Sequence, residues 1–302
     1  MAKITAKMVA ELRGKTGAGM MDCKKALTET DGNLDEAIDY LRKKGLSAAA
    51  KKSGRVAAEG AIVAAGSDNV GAIVEVNAET DFVAKNDAFQ GFANGIAQVV
   101  VAEAPADVEA LKQLPFPGTD RNVGEELTHQ IATIGENMDI RRFARRSVEG
   151  VVETYIHAGG KIGVVVELTT AAPSDCVKAA ARQLAMHIAA AAPQYLCRDD
   201  VPVEVVEKEK DIMRVKAIES GKPEKIVEKI IAGQINKFFG EICLLEQTYV
   251  IDPDLKINKV LANLSKENGA EVTLTGYDRF ALGEGIEKRA DDFAAEVASL
   301  TK

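Results

Sequence analysis

Apolar and polar positions alternate with a helical period through the first 45 residues. Met8, Val9 and Leu12 mark a first helix that stops near Gly14, and a second runs from about Met20 through Leu27 to the Asp31-Gly32 turn. In the third, Asn33 stands as N-cap with Glu36 three positions on, Leu34, Ala37, Ile38 and Leu41 follow at helical spacing, and Gly45 is expected to end it. A bundle this small has a thin core and suits docking better than catalysis. Residues 47–58, rich in Ala, Lys and Gly, have little apolar bulk to bury and read as a helical or flexible linker.

From Glu59 the pattern becomes that of strands. Ala61–Ala65 and Val70–Val76 are apolar, β-branched runs around the turn signal Gly66-Ser67-Asp68-Asn69, which predicts a hairpin. A helix follows from about Asp87 with Phe89, Phe92, Ala93, Ile96 and Val100 on one face, and a second helical region holds Leu127, Ile131 and Ile134. The layout returns roughly ninety residues later. Glu149-Gly150 opens a run to Ile156, His157-Ala158-Gly159-Gly160 turns the chain, Ile162–Leu168 forms the next strand, and an Ala-rich helix spans about Pro173 to Ala192. Element order, more than residue identity, predicts an α+β protein with two related halves, each an antiparallel sheet backed by helices.

Between Asp199 and Gly240 two charged helical stretches break at Ser220-Gly221-Lys222-Pro223. Val201, Val205, Ile212, Val215 and Ile218 are expected to face Ile226, Ile230, Ile231 and Ile235 in a projecting hairpin, which suits a partner or dimer contact or else packs on its own sheet. Strand-like segments return at Glu241–Ile251 and Glu271–Ala281, and a last amphipathic helix is expected at Ala290–Leu300.

Composition narrows the function classes. With 302 residues, 46% hydrophobic and 28% charged, the chain reads as two or three compact units, neither disordered nor membrane-embedded. No apolar run reaches the roughly 20 residues of a bilayer span. The N-terminus lacks the apolar stretch of a secretory signal, so a cytoplasmic location is expected, with Cys23, Cys176, Cys197 and Cys243 as free thiols. The net charge of −8 opposes binding a polyanion over the whole surface. The basic clusters Lys51, Lys52, Arg55 and Arg141, Arg142, Arg145, Arg146 lack interleaved aromatics to stack bases, which favours a solvated or protein-facing patch over nucleic acid.

Chemistry of the chain's own is not signalled. No GxxxxGK[ST] phosphate loop exists, and Gly17-Ala18-Gly19 runs into Met20 and Met21 in place of the required Lys and hydroxyl, so no nucleotide should bind directly. His129, His157 and His187 lack metal-ligand spacing and no GxSxG elbow is present, so neither metal, cofactor nor catalytic residue is expected. Carboxylates such as Glu284 and Glu287, or Asp291 and Asp292, read as solvated. An enzyme with a carboxylate site assembled in space, and an RNA-binding or ubiquitin-like adaptor, stand as the competing classes.

Two segments are more specific: Arg13-Gly14-Lys15-Thr16-Gly17-Ala18-Gly19-Met20-Met21-Asp22-Cys23-Lys24-Lys25-Ala26-Leu27, and Thr80-Asp81-Phe82-Val83-Ala84-Lys85-Asn86. With Ile134-Gly135-Glu136-Asn137, His157, Met186-His187, Ser220-Gly221-Lys222-Pro223 and Val272–Glu287, they resemble the elongation factor Ts family along essentially the whole chain. The resemblance implies a guanine-nucleotide exchange factor for the translation GTPase elongation factor Tu, and not an enzyme. It implies a ubiquitin-associated-like (UBA-like) module at 1–46, a linker at 47–58, core halves at 59–140 and 141–282, and a C-terminal helical module at 283–302. The hairpin at about 199–240 would be a dimerisation module, which makes a homodimer an expectation. Carried over residue by residue, Arg13, Met20 and Met21 contact the GTPase's nucleotide domain, and Thr80, Asp81, Phe82 and Val83 dislodge its Mg2+. Ile134, Gly135, His157, Val250 and Ile251 supply further contacts, the last two within Tyr249-Val250-Ile251-Asp252-Pro253, an apolar variant of the family pattern. From the residues alone, Met20 and Met21 fit either a surface or the bundle core, and Phe82 fits either an exposed wedge or one core stripe with Phe89.

Overall fold

The computed structural model describes residues 4–220 and 223–287; Gly221 and Lys222 of the expected hairpin turn, and the helix expected at Ala290–Leu300, lie outside the described residues. Helices α1 (Ala6–Thr16), α2 (Met20–Glu29) and α3 (Leu34–Lys52) enclose Val9, Leu12, Cys23, Ala26, Leu27 and Ala37. Asn33 caps α3 by accepting the Asp35 and Glu36 N–H groups, and its amide donates to the Glu36 carboxylate at 2.8 Å. Gly45 does not end α3, which continues to Lys52. It is buried where α3 crosses α7 (Val123–Ile134), and a Cβ there would stand 3.4 Å from that of Ala132. The glycine lies at the helix crossing and does not terminate α3. Arg42 pairs with Glu125 on α7, and Lys52 Nζ donates to the Ile131 carbonyl at 3.3 Å.

The predicted repeat appears as two three-stranded antiparallel sheets with the same element order. In the first, β1 (Glu59–Ser67) and β2 (Val70–Ala78) form the hairpin, the short α4 (Asp81–Ala84) and long α5 (Asp87–Glu103) follow, and after α6 (Val108–Gln113) and α7 the strand β3 (Met138–Ser147) joins β2. In the second, β4 (Gly150–His157) pairs antiparallel with β5 (Ile162–Thr169), from Gly150 opposite Thr169 to His157 opposite Ile162. Helix α8 (Asp175–Ala191) follows, then α9 (Val203–Glu219), α10 (Glu224–Ile242) and α11 (Ile257–Asn268), and β6 (Thr273–Ala281) joins β5.

Local backbone chemistry repeats too. Gly60 and Gly150, at φ +126° and +154°, open the two hairpins, and a Cβ at either would collide with the carbonyl of Val76 or Leu168 respectively. Helices α5 and α8 each end on an alanine in the left-handed region, Ala104 and Ala192 at φ +48° and +46°, followed by proline. Proline disfavours helical backbone in the residue before it, so both helices stop at equivalent places.

Contacts divide the chain into one unit of residues 1–63, 74–143 and 281–302, and another of 64–73 and 144–280. In the first, α5 buries the predicted stripe of Phe89, Phe92, Ala93, Ile96 and Val100. Strand β3 was hidden behind its basic cluster, in which Arg141, Arg142 and Arg146 are engaged by acids distant in sequence. The fully buried Glu75 accepts from Arg141 at 2.9 Å, Arg142 at 2.6 Å and the Gly283 N–H at 2.8 Å. In the second unit Arg146 pairs with Glu167 at 3.1 Å and Asp278 at 2.7 Å.

The core of the second unit sets Val151, Val164, Val166 and Leu168 of the sheet against Val177, Ala181, Leu184, Ala185 and Ile188 of α8, with Ile257, Leu261 and Leu264 of α11. The expected strand at Glu241–Ile251 is absent. Helix α10 runs to Ile242, and the Glu246 and Gln247 N–H groups bond back to the Cys243 carbonyl in a tight helical turn. The hairpin seam also differs on α9. Met213 and Ala217 are the buried residues there, packed with Val227, Ile231 and Ile235, while Ile212, Val215, Ile218 and Ile226 face outward. Positions 206, 213 and 217 make a narrow heptad-like seam, which overrides the more apolar neighbouring row. Val201 and Val205 lie instead at the hairpin base with Ile242 and Cys243. All four cysteines are free, and no helix among the described residues is long and apolar enough to cross a membrane.

Candidate functional site

Thr16 shapes the reversal between α1 and α2. Its hydroxyl donates to the Leu12 carbonyl at 2.7 Å and accepts the Ala18 N–H at 3.3 Å, and Gly17 follows in the left-handed region at φ +65°. Helix α2 turns Cys23, Ala26 and Leu27 inward and leaves Met20 and Met21 60% and 75% exposed. The surface reading of these methionines therefore holds. With Ile4, Val9, Ala10 and Arg13 they line an apolar groove of about 600 Å³. Flexible thioether side chains on an open groove adapt to an apolar partner.

After β2 the chain enters α4 through Thr80, whose hydroxyl accepts the Val83 N–H at 3.4 Å. Val83 turns inward, and Phe82 is 79% exposed. A core stripe shared with the fully buried Phe89 is excluded, because α4 breaks at Lys85 and Asn86 caps α5 afresh. Asp81 pairs with Lys85 at 2.8 Å, and the Lys85 ammonium lies 5.9 Å from the Phe82 ring centre.

The same turn meets the end of α7. Gly135 stops that helix at φ +94° and is exposed, with Ile134 half-buried before it. The next residue, Glu136, accepts both the Thr80 N–H at 3.0 Å and the Thr80 hydroxyl at 2.7 Å. Glu79 in turn accepts the Asn137 N–H. Thr80–Val83 and Ile134–Gly135, far apart in sequence, are thus held side by side.

In the second unit His157 is exposed at the end of β4, its Nδ1 2.9 Å from the Tyr155 hydroxyl. Val250 and Ile251 are each 49% exposed. Their segment hangs on the fully buried His187, whose Nδ1 accepts the Val250 N–H at 3.3 Å and whose Nε2 lies 2.9 Å from Gln247 Oε1. The Gln247 amide donates to the Glu241 carbonyl at 2.7 Å, which leaves Oε1 as the acceptor for His187. His187 is therefore the neutral tautomer protonated on Nε2, and burial holds its pKa below the ordinary imidazole value.

Sequence reasoning assigned no role to Glu136, Gln247 or His187. A signal existed for His187, which shares the inward face of α8 with Leu184. Glu136 stood within the segment Ile134-Gly135-Glu136-Asn137, but nothing signalled its bond to Thr80, which spans 56 positions. Among the described residues no cluster of three or more His, Cys, Asp or Glu is placed to hold a metal ion.

Comparison with known proteins places the chain among its relatives. A family model described as Elongation factor TS matches residues 79–284. The chain is 71% identical over 302 residues to Elongation factor Ts of Syntrophotalea carbinolica, covering 99% of this chain and 100% of the relative. It is 54% identical over 300 residues to that of Magnetococcus marinus and 55% over 306 to that of Rhodospirillum centenum, covering 99% of each chain in both cases. The chain belongs to the elongation factor Ts family.

Proposed function

We propose that this translation elongation factor is the guanine-nucleotide exchange factor of elongation factor Tu, acting by binding alone and without chemistry of its own. The observation that carries this reading is Phe82: a large aromatic ring, 79% exposed, on a turn whose cap is bonded into the fold. An exposed aromatic on a rigid connection suits insertion into a partner pocket. A GTPase holds its nucleotide through phosphate contacts and Mg2+, and a factor that prefers the conformation lacking them lowers nucleotide affinity. Thr80–Val83 form the element that disturbs the Mg2+ site, while Arg13, Met20 and Met21 hold the nucleotide domain. Ile134, Gly135, His157, Val250 and Ile251 extend the contact. The coupling is reciprocal, so incoming GTP weakens the factor's grip and releases it.

The test mixes the protein with elongation factor Tu loaded with fluorescent GDP. Accelerated release at substoichiometric amounts of the protein is expected, and an unchanged release rate at saturating protein sinks the reading.

A further inference from the structure

We propose that Glu136 is a positioning residue for exchange, fixing the Asp81–Phe82 turn against Ile134–Gly135; the inference rests on the exchange reading above. Helix α4 has four residues. A helix that short cannot sustain itself, because nucleation fixes several dihedral angles for a single hydrogen bond. Its geometry must come from outside, and Glu136 supplies it. The carboxylate has only acceptors, so the Thr80 hydroxyl proton points at Glu136, leaving the hydroxyl lone pairs to accept the Val83 N–H. The Thr80 N–H is taken by the other carboxylate oxygen. One side chain thus sets both the backbone position and the cap orientation of the turn that carries Phe82. Charge-assisted bonds of this kind are about twice as strong as neutral ones.

The bonding is two-way. Glu79, before Thr80, accepts the Asn137 N–H, and the Asn137 amide donates to the Arg55 carbonyl at 2.8 Å. Residues 79–80 and 136–137 therefore form a clasp at the base of the wedge. Glu136 follows Gly135, so one residue ties the wedge directly to the neighbouring candidate contact. Glu136 and Thr80 are only half-buried, and the apolar cores of the sheet and of α5 do not include them. Loss of Glu136 should therefore disturb placement more than folding.

The experiment measures GDP release from the GTPase across concentrations of wild type, Glu136→Ala, Glu136→Gln, Phe82→Ala and the Glu136→Ala/Phe82→Ala double variant, with thermal melting of each. Misplacing a working group by about 1 Å costs up to about a hundredfold in rate. Glu136→Ala is thus expected to lower the maximal rate by roughly tenfold or more while the half-saturating concentration and melting temperature change little. Glu136→Gln, which keeps one acceptor oxygen, should recover part of the rate even if the alanine variant folds poorly. Because Glu136 acts through the turn that carries Phe82, the losses in the double variant should be less than additive. Full activity of a folded Glu136→Ala, no advantage of Gln over Ala, or additive losses in the double variant would each overturn the proposal. If wild type itself fails to accelerate release, the exchange reading falls and takes this inference with it, a result distinct from a normal wild type with a normal Glu136→Ala.

Discussion

Truncating Phe82 to alanine separates a surface wedge from a structural residue by magnitude. A fully buried phenylalanine removes about 200 Å² from water, and with 79% of Phe82 exposed only about a fifth of that is covered in the free protein. At about 25 cal/mol per Å² its truncation forfeits roughly 1 kcal/mol of stability, with about 0.5 kcal/mol more for the Lys85 contact. At about 2–4 °C per kcal/mol for a chain of 150–250 residues, the melting temperature should fall by only a few degrees. A phenylalanine of the core would instead cost about 3–5 kcal/mol. At the centre of an interface the same ring contributes about 2 kcal/mol or more, and about 2 kcal/mol is close to thirtyfold in rate. Stopped-flow release of fluorescent GDP at saturating factor, beside a melting curve, reads both numbers from one preparation. A melting temperature lowered by more than ten degrees, or exchange by the folded variant within twofold of wild type, refutes the reasoning.

Three further outcomes are expected. Burial lowers the His187 pKa, with the Gln247 bond opposing, so its contribution to stability is complete above the ordinary imidazole value and is lost as pH falls toward the lowered one; melting against pH should show an acid-side loss in wild type that His187→Asn lacks. Burial works against charge on Glu75, but bonds from the Gly283 N–H, Arg142 and Arg141 outweigh it and hold its pKa below the ordinary carboxylate value. Its stabilisation is present above that ordinary value and lost as acid titrates the lowered one, and Glu75→Ala, which removes one shared acceptor from two arginines that keep other partners, should cost about 1–3 kcal/mol by denaturant titration. Gly60→Ala and Gly150→Ala should each lose about 1–3 kcal/mol, because the new methyl meets a backbone carbonyl in both hairpins.

What the sequence disclosed was whatever local period can express. The stripe on α5 reads directly from Phe89 to Val100 because every member lies on one helix. Strand β3 did not read, since its arginines look like a solvated cluster until Glu75, Glu167 and Asp278 come up from other strands. Gly45 looked like a stop signal because its burial within α3, beside Ala132, is a tertiary fact. The segment after Ile242 is apolar enough for a strand, but its backbone closes into a helical turn under α8, and the His187 network then fixes Gln247 and Val250 in place. Of the candidate site, exposure of Met20 and Phe82 was left open by sequence, and the clasp by Glu136 was invisible to it.

The repeat explains why Phe82 stands where it does. Both halves run hairpin, long helix, inserted helices and third strand, with matching glycines at the start and matching alanines at the helix ends. They differ in the link from hairpin to long helix. In the second half, residues 170–174 lead straight into α8, capped by Ser174. In the first, residues 79–86 intervene and fold into α4 before Asn86 caps α5. The added turn buries Val83 alone of its large apolar residues and leaves Phe82 to solvent. An aromatic placed outward on an insertion that the other copy lacks adds nothing to the shared scaffold, which fits the exchange reading proposed above. The bonds from Thr80 to Glu136 fix that added turn to the fold, so Phe82 is held outward on an anchored turn and not on a loose loop.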